Sequence, residues 1–216
     1  MKTFSEQWQK VIRLTRFGLA WIVLLGLGMP VWANLNIAKG GKAKCVIVQQ
    51  PGATAVESNA VRELAGTLER ITGATFVVQM ATNGNVPPQA IIVGAGAVAQ
   101  TLFPEVALDQ FGSEELVMKV KDGRLLLAGG QPRGTAYAVY RFLQEQCGVR
   151  WWAPWATTVP TRRSLRVPDL DVRCQPAFEY RDPYWSSAFD PRWKLHNAAN
   201  GGSQLVPEDL GGCIKY

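Results

Sequence analysis

Four groups of side chains in this sequence have types and spacings that invite a chemical reading: two glycine clusters, one histidine, four cysteines and a knot of tryptophans. Gly94-Ala-Gly96-Ala-Val-Ala99 matches the G-x-G-x-x-[GA] pattern that cradles a dinucleotide pyrophosphate at a helix N-terminus. Its setting argues against that chemistry. It does not sit in the first β-α unit, Pro104 cuts the following helical piece, and no acid ends a next parallel strand about 20 residues on. The glycines read instead as a tight turn with close helix packing. Gly129-Gly130 and Arg133-Gly134 lack the Lys-Ser/Thr ending of a phosphate loop. His196 stands alone, so no Ser/His/Asp set can be nominated, and it reads as a surface or packing residue. Cys45, Cys147, Cys174 and Cys213 form no C-x-x-C pair, which leaves no zinc ligand set. No metal or cofactor is expected. Glu179 and Asp182 are three positions apart and would point to opposite faces of a strand, so they do not make a catalytic pair. Trp151, Trp152 and Trp155 suit either stacking on sugar faces or a core between domains.

The elements that must hold these residues can be read from periodicity. Residues 44–49 form a short apolar run, a buried strand broken by Pro51-Gly52. Thr54-Ala-Val-Glu57 fits a capping box, and Val61, Leu64, Ala65, Leu68 and Ile71 follow at helical spacing up to a stop at Gly73. Thr75–Met80 is a second strand. The turn Asn83-Gly84-Asn85 leads to a third at Ala90–Val93, and a short helical piece follows at Ala97–Leu102. Leu116–Val120 and Arg124–Ala128 flank Asp122-Gly123, a hairpin signal. A helix runs from about Pro132 to Gln146, stopped by Gly148, and Arg150–Pro154 is a short aromatic strand or extended segment. The order is β-α-β-β-(short α)-β-β-α-β. It predicts an α/β (α+β) sandwich: a mixed β-sheet with two amphipathic helices on one face. Thr157–Pro168, rich in Pro, Thr and Arg, reads as a linker or edge crossing and closes a domain spanning 34–168.

The first 33 residues read as a cleavable secretory signal. A basic zone (Lys2, Lys10, Arg13, Arg16) precedes an apolar run from Phe17 to about Met29, and Val31-Trp32-Ala33 offers the small residues a signal peptidase reads. The alternative is a retained anchor, but the apolar run falls short of the roughly 20 residues that span a bilayer. The expected destination is the periplasm or the exterior, with no membrane association after cleavage. Removing this segment lowers the net charge from +6 to +3. What remains is an ordinary globular surface and no argument for nucleic acid. Export also permits disulfides, with three possible full pairings; alternatively Cys45 and Cys147 are small buried hydrophobes.

The segment from Leu126-Leu-Ala-Gly-Gly-Gln-Pro-Arg-Gly-Thr through Cys147-Gly-Val-Arg-Trp-Trp-Ala-Pro154 resembles the end of the N-terminal domain of α-glucuronidase-like glycoside hydrolases. It is also similar to related uncharacterised exported bacterial proteins and, distantly, to the N-terminal domain of β-hexosaminidases. The helix ending Leu-Glu-Arg-Ile-Thr-Gly73 and the strand Ile-Ile-Val-Gly94 fit the same resemblance, which covers about residues 43–216. It implies a non-catalytic domain packed beside a (β/α)8 barrel that holds the active site, with carbohydrate and that barrel as partners. Cys174–Tyr184 resembles the run into the first barrel strand, and Trp193–Gly201 the loop and helix that follow. On this reading residues 169–216 are the truncated start of the barrel. Gly112-Ser-Glu-Glu-Leu116 departs from the family by lacking a second glycine after the acid. Length departs further: 48 residues follow Pro168, against roughly 200 for a barrel. The paired carboxylates of glycoside hydrolysis lie on later barrel strands, so the resemblance implies no catalytic residue in this chain. It also implies that Arg181 hydrogen-bonds sugar hydroxyls. The alternative for Arg181 is a structural ion pair.

Overall fold

In a computed structural model of the chain, the described residues are 34–81, 86–202 and 205–214. The expected leader, residues 1–33, and the expected turn at Asn83-Gly84-Asn85 fall outside them. The expected order of elements is present. It comprises β3 (Val46–Gln49), α1 (Ala55–Thr72), β4 (Val78–Met80), β5 (Ala90–Val93), α2 (Ala97–Leu102), β6 (Leu116–Lys121), β7 (Arg124–Gly129), α3 (Gly134–Glu145) and β8 (Arg150–Ala153). Five further strands frame it: β1 (Leu35–Lys39), β2 (Lys42–Ala43), β9 (Ala156–Thr158), β10 (Leu165–Val167) and β11 (Asp171–Cys174).

The main sheet is mixed, with strand order β11-β6-β7-β5-β3-β4. Strands β4, β3, β5 and β7 run parallel, while β6 and β11 are antiparallel to their neighbours. A period of two divides the sheet into two cores. Ile47, Ile91, Val93, Leu125, Leu127 and Met118 face one side, where α1 and α3 pack against them and each other. Val48, Ala90, Ile92, Leu126, Ala128 and Val117 face the other, under α2 and the 3-10 turns at Pro104–Val106 and Leu108–Gln110. All four residues of β5 are buried because helices cover it on both faces, as in a central parallel strand.

Local chemistry accounts for the ends of these elements. Thr54 Oγ1 accepts from Glu57 N at 3.2 Å, and Glu57 Oε2 accepts from Thr54 N at 2.9 Å, which completes the capping box. Gly73 closes α1 in the left-handed region. Asp122 and Gly123 both take positive φ, the two-residue turn whose twist matches its strands. A Cβ on Gly129 would lie 2.3 Å from the backbone of Gly134, and one on Gly130 would lie 2.0 Å from Gly112 O. Those glycines let the start of α3 press onto the β6–β7 hairpin.

Strand pairing decides two boundaries. Of the two readings of Thr157–Pro168, linker or edge crossing, the structure has the edge: β10 pairs antiparallel with β1 at the edge of a three-stranded sheet, burying Leu165 and Val167. Its alternating Leu-Arg-Val is short and lies among prolines, so the pattern is masked in the sequence. The main sheet extends past Pro168, because β11 pairs with β6 from Asp171 to Cys174. Cys174–Tyr184 therefore begins as the last strand of this sheet and then continues without strand structure. A strand needs a neighbour for its ladder. Here the carbonyls of Phe178 and Glu179 instead accept from Arg181 and Asn200 side chains. The tail ends in α4 (Pro191–His196), capped by Asp190 through a 2.7 Å bond from Trp193 N, and a 3-10 turn at Glu208–Leu210. Residues 34–214 belong to one compact unit.

Candidate functional site

The expected site residues fall in two places, both reached from α3. The first is a cleft of about 360 Å³ between α3, the end of β11 and the loop after α4. Tyr137, Tyr140 and Gln144 supply the α3 wall because they share one face of that helix. Phe178 and Arg181 supply the facing wall. The lining is mainly apolar. Burial pushes the Tyr137 hydroxyl up to about 12, and the charge of Glu114 adds to this, so it stays protonated at neutral pH.

Arg181 is held by the protein itself. Its Nε donates to Ala198 O at 2.6 Å, and Nη1 donates to Phe178 O at 2.6 Å and Glu179 O at 3.3 Å. Nη2 pairs with Glu114. Glu114 is the hub that sequence reasoning missed. It is buried, and it also takes Arg133 Nε at 2.5 Å and Asn200 Nδ2 at 3.0 Å. Arg133 in turn donates to Gly211 O at 2.6 Å and Gly212 O at 2.8 Å. One carboxylate on the β-sheet domain thus binds three side chains and, through them, the tail at both ends. Glu114 adopts φ 58°, a conformation unfavourable for a side chain of its size, and the ion pairs offset that cost. The nearest sequence signal was the missing second glycine after the acid in Gly112-Ser-Glu-Glu-Leu116.

The two other carboxylates singled out in the sequence do not meet as a pair. Asp182 is buried against Lys194, 3.1 Å away, and accepts from Tyr180 Oη at 2.9 Å. A Cβ on Gly201 would overlap the Asp182 side chain, which explains the glycine. Glu179 is exposed, and its backbone carbonyl accepts from Asn200. Among the described residues no three His, Cys, Asp or Glu side chains converge as metal ligands.

The second place is the aromatic segment. Trp151 is 8% exposed and stacks on His196 with centroids 4.5 Å apart, while Tyr140 meets both rings edge-on. The expectation that Trp151 offers a sugar-stacking face is therefore corrected: His196 covers that face. His196 is a packing residue whose Nε2 lies 2.5 Å from Glu63 Oε1. Burial alone would raise the Glu63 carboxyl, but the His196 bond and charge and the Tyr140 hydroxyl outweigh it and hold the group below its ordinary value. Trp152 points the other way and is 65% exposed, and Trp155 is 78% exposed.

The remaining motifs resolve into packing. The Gly94-Ala-Gly96 turn is filled by Gln50, whose Oε1 would lie 2.6 Å from a Cβ on Gly96. A phosphate has no room there, and α2 is only six residues long. None of the four cysteines is paired. Burial pushes the Cys45 and Cys147 thiols up to about 12, so they are inert hydrophobes.

No protein-family model matches this chain, and no curated protein does. Among solved structures, one of those that match is a GH115 4-O-methyl-α-glucuronidase with specificity for decorated arabinogalactans. The TM-score is 0.54 and the identity 21%, over 77% of this chain and 25% of that one. The chain thus spans a quarter of that protein's length, and at this identity the likeness is one of fold.

Proposed function

We propose that this chain is the non-catalytic N-terminal accessory domain of an exported, α-glucuronidase-like glycoside hydrolase acting on poly- or oligosaccharide. In this reading the segment after Cys174 leads into a (β/α)8 barrel that carries the chemistry. The observation that carries it is the aromatic surface beyond β11. Phe178, Tyr184 and Trp185 are exposed by 73%, 80% and 53% within eight residues of chain, and clustered exposed apolar groups are a feature of surfaces that a partner covers. The fold shared with a quarter of a much longer α-glucuronidase supports the same reading. So does the commitment of Glu114, Asp182 and Glu63 to internal partners, which leaves none of them to protonate or attack a glycosidic bond. The DNA following the codon for Tyr216 tests it. A continuing frame with alternating strand and helix patterns is the expected result. A stop codon at that point, in an intact locus, would overturn it.

A second reading, a standalone carbohydrate-binding or surface-assembly module, is favoured by one observation. The tail folds back onto the domain through Glu114, Arg181, Asn200 and the His196–Glu63 contact. Such docking needs no barrel.

A further inference from the structure

Trp151 and Trp152 are sequence neighbours with opposite fates, and the difference comes from the hairpin they share. Strand β8 pairs antiparallel with β9, Arg150 opposite Thr158 and Trp151 opposite Thr157, with a register shift between Trp151 and Ala153. The pleat sends Trp151 inward to His196 and Trp152 outward, to the side that carries Arg150 and Thr158. A bulge at this point re-aims a side chain.

We propose that this outer face is a stacking platform for a pyranose ring of a glycan, with Trp152 as its floor. Three observations support it. First, the ring is exposed yet fixed. Trp152 Nε1 donates to Thr158 Oγ1 at 3.0 Å, so the indole is oriented before any ligand arrives and little rotamer entropy remains to be lost. Second, the rim is polar. Thr158 touches the ring, Arg150 lies opposite Thr158 on the same strand face, both are exposed, and Arg150 Nη1 is anchored on Gln144 O at 2.6 Å and Val149 O at 2.7 Å. Third, Trp155 stands at the turn between Ala153 and Ala156, a second exposed ring in the same hairpin.

A flat apolar surface framed by hydrogen-bond donors matches a pyranose, which has a C–H face and a girdle of hydroxyls. This inference deepens the carbohydrate reading above by giving it a contact residue. It differs from that reading in how it fails: the downstream DNA bears on the accessory role, and binding bears on the platform.

The test is calorimetric titration of the full chain with xylo-, cello- and arabinogalacto-oligosaccharides, with sedimentation run in parallel. The expected result is saturable binding of at least one series by a monomer. Trp152→Ala weakens it about tenfold. Thr158→Val, which keeps the indole but releases it, weakens it about threefold. Unchanged circular dichroism in both variants shows that the fold persists. Absence of binding to every series, or equal binding by Trp152→Ala, overturns the proposal. So does a dimer that Trp152→Ala dissolves, since the ring would then belong to a contact between copies.

Discussion

The sheet and the tail of this molecule are held by different mixtures of forces, although Leu195, Val206 and Leu210 of the tail join the apolar core. From β1 to β11 the structure rests on apolar burial: two cores on opposite faces of one sheet, built from Leu, Ile, Val and Ala in alternation. From Gln175 to Ile214 order depends heavily on polar side chains that reach across: Glu114 to Arg181 and Asn200, Asp182 to Lys194, Arg133 to Gly211 and Gly212. Apolar contacts are individually small and act as a sum. A buried ion pair depends on both members, and losing one strands the other without water. Loss of a core side chain should therefore weaken the whole unit together, and loss of one member of a buried ion pair should release the tail first.

The largest effect that would break this contrast is at Glu114. Glu114→Ala leaves Arg133 and Arg181 without their shared counter-ion and should cost about 3–5 kcal/mol in urea unfolding. Hydrogen exchange should show residues 178–201 opening before the sheet. A loss below about 1 kcal/mol would remove the distinction. Next in size is Leu64→Ala in α1, which opens a cavity in the helical core and should cost about 3 kcal/mol. It should act on the whole unit in one transition, without selective exposure of the tail.

How much of this was legible in the sequence follows the same division. The stripe Val61, Leu64, Leu68 and Ile71, the capping box and the Asp-Gly turn each announce themselves by local spacing, and each is present. Strands β1, β10 and β11 escaped notice. They are short, and β1 and β10 make sense only as partners separated by more than a hundred residues. The site was the least legible part. Nothing in Ser113-Glu114-Glu115 says which acid turns inward, and Glu114 meets Arg181 across 67 positions. Trp151 and Trp152 look equivalent in one dimension, and only the pleat and His196 separate them.

The contact between α4 and α1 gives a prediction with a sign. The folded state holds Glu63 below its ordinary pKa, so this group's contribution is present above the unfolded value of about 4.3 and is lost as pH falls through the folded value. Melting temperature followed from pH 7 to pH 3 should fall more steeply for the native chain than for Glu63→Gln. Parallel curves would mean that the His196–Glu63 bond adds nothing to tail docking. The smallest effect sharpens the picture of the sheet domain. Thr54→Ala removes the cap of α1 and should cost about 1 kcal/mol, with the tail still docked.

The central proposal is that this chain handles carbohydrate without cleaving it. The most direct measurement incubates the purified full chain with aryl glycosides and glucuronoxylan fragments and follows released product. The account predicts no turnover above the rate without protein. Turnover that disappears in Glu179→Gln or Asp182→Asn would contradict it, by placing a working carboxylate in a chain whose buried acids serve structure.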